Sequence, residues 1–149
     1  MKIVFSLLLS SLLTVSVVSA QNEVSAKEPF SVDVVNPAPI AQKGNAGYLL
    51  SLTEQDFKNG NYVFYTDSNA TIAHVRINGN DIRLTGGENG EHIMAYVCKD
   101  YTVTLSTNNA DSHRELDNGK MEGMLVIYNS MGQVVGKKVT GTVIKAPGN

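Results

Sequence analysis

Cys98 is the one cysteine in this chain, and a thiol acts as a nucleophile only as a thiolate, usually beside a histidine. Three imidazoles are available: His74, His92 and His113. His92 lies in the same β-rich run as Cys98, six residues earlier. Six extended residues span roughly 20 Å, so the two side chains share a face without touching. His74 and His113 could reach the thiol only through the fold, and no nucleophile motif surrounds it. Metal binding is the next chemistry to weigh. His113 and Glu115 sit two apart, between Asp111 and Asp117, a spacing that would aim all four one way in a strand. Zinc needs three or four well-placed His or Cys ligands, and calcium a denser run of carboxylates around a glycine-directed turn. "DSHRELDNGKMEG" offers neither and reads as a solvated hairpin loop. The 14 acidic residues fall mostly beside turns, so none can be paired across a cleft for hydrolysis. There is no tryptophan to stack a sugar ring, and "GGENG" lacks the lysine and helix of a phosphate loop. The expectation is a protein that is not an enzyme, with no catalytic residue, no metal and no cofactor.

The elements that would position any site are short strands. From residue 47 onward, β-rich runs alternate with Gly, Asn and Asp punctuation: "YLLSL", "NYVFYT", "TIAHVRI", "DIRLT", "EHIMAYV", "YTVTLST", "GMLVIY" and "QVVGKKVTGTVI". "RINGNDIRL" is the sharpest local signal, because Asn78-Gly79 is the preferred chemistry of a tight hairpin turn. Alternation then puts Ala73, Val75, Ile77, Ile82 and Leu84 inside, with His74, Arg76 and Arg83 outside. Tyr101, Val103 and Leu105 share one face of the next run and Thr102, Thr104 and Ser106 the other. Helical signal is weak. "SLTEQDFKNG" offers Ser51 or Thr53 as a cap and Gly60 as a stop, and "ADSHRELDNG" a second candidate turn. The pattern predicts an all-β, single-domain antiparallel β-barrel or β-sandwich of about eight strands over residues 47–149. Residues 21–46 read as a tail or linker. "NPAPIAQKGNAG" there bars a central strand, and "FSVDVV" could form a short edge strand.

In a small rigid β-domain, binding usually resides in displayed loops. The longest polar connections are "TGGENGEHIMAY" and "NNADSHRELDNGK". They make Glu88, Asn89, Gly90, Glu91, His92, His113, Arg114 and Glu115 the candidate binding residues.

Residues 1–20 read as an export signal. Lys2 precedes the apolar run "IVFSLLLSSLLTVSVV", and Val18-Ser19-Ala20 supplies the small residues of a cleavage site after Ala20. The expected location is the periplasm or the cell exterior, with membrane contact only through the cleaved signal. The formal net charge is −2, and removing Lys2 makes it one more negative. That balance disfavours nucleic acid, which rewards clustered Lys and Arg. The expected partner is a protein or a component of the cell envelope. The alternative is a carrier of a small apolar ligand inside the barrel.

The stretch "HVRINGNDIRLTGGENGEHIMAYVCKDYTVTL", residues 74–105, resembles the small periplasmic inhibitors of C-type lysozyme. The order is strand, tight turn, strand ending in Leu, glycine-containing loop, then a strand with an aromatic. The resemblance implies an exported eight-stranded barrel-like fold and hydrolase inhibition. That family's inhibitory loop carries Ser-Gly-x-x-Tyr. The corresponding position here is Asn89-Gly90-Glu91-His92-Ile93, which shares the glycine. The family's structural disulfide has no counterpart within this chain, whose only cysteine is Cys98.

Overall fold

The computed structural model describes residues 27–37, 46–90, 93–107 and 119–143. Its strands are β1 (Val32–Asp33), β2 (Ala46–Ser51), β3 (Phe64–Asp67), β4 (Ile72–Ile77), β5 (Asn80–Glu88), β6 (Ile93–Val97), β7 (Tyr101–Thr107), β8 (Lys120–Asn129) and β9 (Val134–Val143). One short helix, α1 (Glu54–Lys58), sits between β2 and β3. From β2 to β9 each strand pairs antiparallel with the next, and β9 returns to pair with β2. The result is an eight-stranded up-and-down β-barrel, which resolves the barrel-or-sandwich expectation in favour of the barrel. Four residue pairs between β2 and β9 close the barrel, where an open eight-stranded meander would leave two full-length free edges.

The alternation in the sequence becomes the two faces of the wall. Ala73, Val75 and Ile77 of β4, Leu84 of β5, Met94 and Tyr96 of β6 and Val103 and Leu105 of β7 are buried in one core. Met121, Leu125 and Ile127 of β8 and Val135 and Val139 of β9 complete it, with Leu50 and Phe64 opposite. Phe64 and Tyr96 meet edge to face at 5.7 Å. Asn78 and Gly79 both take positive φ, 48° and 76°, so the β4–β5 hairpin uses the left-handed turn expected from Asn-Gly. Thr53 caps α1, its hydroxyl accepting from the Asp56 N–H at 3.0 Å. The second candidate helical turn, in "ADSHRELDNG", lies outside the described residues.

Part of the stretch read as a linker packs on the barrel. β1 pairs with β4 at Val32↔Ile77 and Asp33↔Arg76, continuing the lane of β3 below its last pair. Phe30 enters the main core and meets Tyr101 edge to face at 6.0 Å. Glu28 forms an ion pair with Lys137. Val35 is buried with Leu49 and Tyr65 in a second, smaller cluster outside the wall, covered by Phe57 of α1 and Tyr62. The β2–β3 wall is therefore buried on both faces.

Candidate functional site

Up-and-down topology sorts the connections between two ends. One end holds the tight turns at 78–79, 98–100 and 130–132, together with α1 and residues 28–31. The other end, the rim, holds the β3–β4 turn and the strand ends from which the β5–β6 and the long β7–β8 connections leave, beside the start of β2 and the end of β9. Both loops singled out as candidates thus leave from the same rim, on strands β5 to β8, which are neighbours in order.

A cleft of about 410 Å³ opens at this rim, lined by Tyr48, Asn69, Ala70, Thr71, Gly86, Gly87, Glu88 and Met94. Its walls are held by hydrogen bonds that the local sequence supplies. The Asp67 carboxylate accepts from the Thr71 N–H at 2.7 Å, the Ile72 N–H at 3.0 Å and the Thr71 hydroxyl at 2.9 Å. Burial pushes the Asp67 carboxyl up, but these donors outweigh it and leave its pKa below the usual carboxylate value. The turn they secure carries Ala70 at a φ of 54°, an uncommon conformation for a residue with a Cβ. The Ala70 carbonyl accepts from the Tyr96 hydroxyl at 2.9 Å, which ties the rim to the floor of the core. Beside it, the Tyr48 N–H donates to the Thr66 hydroxyl at 3.0 Å. Burial, and then the Glu88 carboxylate, raise the Tyr48 phenol above its ordinary pKa, so it stays a neutral donor at physiological pH.

The candidate residues fall as follows. Glu88 ends β5 and lines the cleft. The Asn89 N–H donates to the Ile93 carbonyl at 2.8 Å and closes the β5–β6 hairpin. Gly90 stands exposed at a φ of 102°, which favours glycine. Glu91, His92, His113, Arg114 and Glu115 lie outside the described residues. Their strands begin and end at the rim, so the topology brings both loops to one end. Sequence reasoning missed Tyr48, Asn69, Ala70 and Thr71. The signal was present in "TDSNAT", whose Asp and Thr four apart suit a side-chain-locked turn. Nothing local said that this turn would share an end with "GGENG".

The other reactive side chains stand elsewhere. Cys98 is half-buried in the β6–β7 turn at the end away from the rim, with its N–H donating to the Tyr101 carbonyl. His74 lies on the outer wall, stacked on Tyr65 at 4.6 Å with the rings 8° apart. Among the described residues no three His, Cys, Asp or Glu side chains converge. No protein-family model, curated protein or solved structure matches this chain.

Proposed function

We propose that this chain is an exported, non-enzymatic β-barrel that binds a protein or cell-envelope partner at its rim, in the most concrete form as an inhibitor of an extracellular lysozyme-type hydrolase. The observation that carries the reading is the asymmetry of the barrel: the strand ends from which both long polar connections leave lie at one end, the end where the cleft walled by Asn69, Thr71 and Glu88 opens. A loop cluster on a rigid wall presents a surface at little entropic cost, which favours tight association. Export, read from residues 1–20, puts such a surface in contact with envelope components and extracellular enzymes. The interior favours the rim over a carrier's cavity, because Phe64, Tyr96, Leu50, Leu84, Leu125 and Ile127 fill it with side chains less than 2% exposed.

The test uses the chain beginning at Gln21. It is assayed for inhibition of a C-type lysozyme on cell walls, and immobilised to retain partners from an envelope extract. The expected result is inhibition or a retained partner at micromolar concentration, weakened at least about tenfold by Glu88→Lys or Asn69→Arg at the rim. No inhibition and no retained partner, or retention unaffected by both substitutions, overturns the reading.

A further inference from the structure

Closure of the barrel is incomplete along one strand. β2 pairs with β9 only from Ser51↔Thr140 to Tyr48↔Val143, and the chain then leaves the wall through Leu52 towards α1. Residues 134–139 of β9 pair with β8 on one side and have no strand on the other. The direction of their backbone groups follows from the β8–β9 hairpin. The Asn129 N–H donates to the Gln133 carbonyl at 3.0 Å, so that pair is hydrogen-bonded, and hydrogen-bonded pairs alternate along an antiparallel ladder. Val135, Lys137 and Val139 therefore bond to β8. The N–H and C=O groups of Val134, Gly136 and Lys138 point into the lane that β2 vacates. They have no backbone partner among the described residues, and all three residues are exposed.

We propose that this edge binds an extended segment of a partner protein by β-strand addition, antiparallel to β9 and in line with β2, and that it selects a segment with a carboxylate opposite Lys138 and an apolar residue opposite Val134. The side chains set that pattern. Lys138 is exposed and has no carboxylate partner among the described residues, whereas its neighbour Lys137 is already paired with Glu28. Glu122 lies on β8, beyond Lys138 from the lane, and shares with it and Leu52 a cleft of about 350 Å³ at the lane's upper end. Gly136 presents no side chain, so the residue set against it has room. Val134 ends an outer row that crosses four strands, Val97–Thr102–Tyr128–Val134, in which Val97, Tyr128 and Val134 are all exposed. An added apolar side chain would extend that row by one position and bury part of it. Counted along the partner, the signature is an acidic residue followed four places later by an apolar one. A second copy of this chain is the poorer occupant, because pairing β9 with itself would set Lys137 and Lys138 of both copies along one short strip.

The surface is separate from the rim, so its test is independent of the rim partner. The probe is the peptide acetyl-Ser-Glu-Thr-Val-Thr-Val-Ser-amide, titrated into the isotope-labelled chain beginning at Gln21 and followed by NMR. The expected result is shifts centred on Val134, Gly136 and Lys138, with amide exchange at these three slowed at least about tenfold at saturation. Replacing the peptide's Glu by Lys should weaken binding about threefold to fivefold, and Lys138→Glu should reverse that preference. N-methylating the valine set opposite Gly136 should abolish binding, because it removes a ladder donor and leaves the charge in place. No shifts at about 1 mM peptide, shifts centred on another surface, or full binding of the N-methylated peptide would overturn strand addition. Equal binding of the Glu and Lys peptides would overturn the acidic partner. Concentration-dependent protection of the same amides without peptide would make a second copy the occupant.

Discussion

Tyr96 carries a hydroxyl into a wall of hydrocarbon and finds its acceptor in the Ala70 carbonyl, 2.9 Å away. Tyr96→Phe keeps the ring against Phe64 and leaves that carbonyl short of a donor, so it should cost about 1–2 kcal/mol in urea unfolding. The same phenol makes the fold sensitive to alkali. Burial, and then Tyr48 and Asp67, hold its ionisation far above the ordinary value of about 10, and Tyr48 and Tyr65 are raised too. Above about pH 10 the unfolded chain releases phenolic protons that the folded chain keeps. Stability is thus complete below that pH and falls as pH rises beyond it. The urea midpoint should drop between about pH 9 and about pH 11, less steeply in Tyr96→Phe. His74 acts at the acid side. Burial first, then the charge of Arg83, lower its pKa, while Asp67 and Asp81 oppose them. Below about pH 6.5 the unfolded chain takes up a proton that the folded chain resists, so stability is lost as pH falls through the folded value. His74→Gln should remove that part of the slope, which urea melts from about pH 7 to about pH 5 would read. Alternation was enough to place His74 outside. Its stack on Tyr65 was not legible, because it depends on the β3–β4 register.

At the scale of elements, legibility followed local chemistry. β7 spans Tyr101–Thr107, the run expected, because alternation is strict there and "CKD" turns the chain just before it. β8 begins at Lys120, earlier than its apolar pattern, because its first residues pair with the end of β9 at Lys120↔Thr142. α1 was legible through the Thr53 cap and the glycine beyond it, although its pattern is weak. Glycines inside strands carried a meaning that only the barrel explains. A Cβ on Gly86 would lie 1.9 Å from the Ala95 carbonyl oxygen, and one on Gly141 would lie 1.9 Å from that of Leu49. Gly141 is buried and Gly86 lines the rim cleft, and at both the backbone of the neighbouring strand comes too close for a side chain. Gly141→Ala should cost about 3 kcal/mol or more and weaken the β2–β9 seam first, seen as faster amide exchange at the backbone groups joining Leu49 and Thr142. Gly136→Ala meets only the Met124 sulfur at 4.0 Å and should stay within about 0.5 kcal/mol of the parent. If both substitutions cost the same, close backbone approach is not what places glycine in these strands.

For the whole molecule, the two ends of the barrel divide the labour. The rim carries the connections proposed to bind, while the opposite end is shut by residues 28–31. Phe30 is 5% exposed and packs on Tyr101, the Ser31 N–H donates to the Asn78 side-chain carbonyl at 2.9 Å, and the Asp33 carboxylate accepts from the Gly79 N–H at 2.6 Å. The alternation Phe30-Ser31-Val32-Asp33-Val34 was enough to suggest the short edge strand that β1 forms, but not the plug, because the burial of Phe30 is decided by Tyr101, far along the chain. The arrangement predicts that stability and binding can be separated by end. Phe30→Ala removes a buried ring from the core and should cost about 3–5 kcal/mol, read as a lower urea midpoint. Below that midpoint the wall from β3 to β8 stays closed, so rim affinity should remain within about twofold of the parent. Glu88→Lys at the rim should do the converse, weakening rim binding while shifting the urea midpoint little, since Glu88 ends β5 outside the core. A large loss of rim binding in folded Phe30→Ala would mean that the plug sets the shape of the rim through the core, and the two ends would have to be treated as one coupled unit.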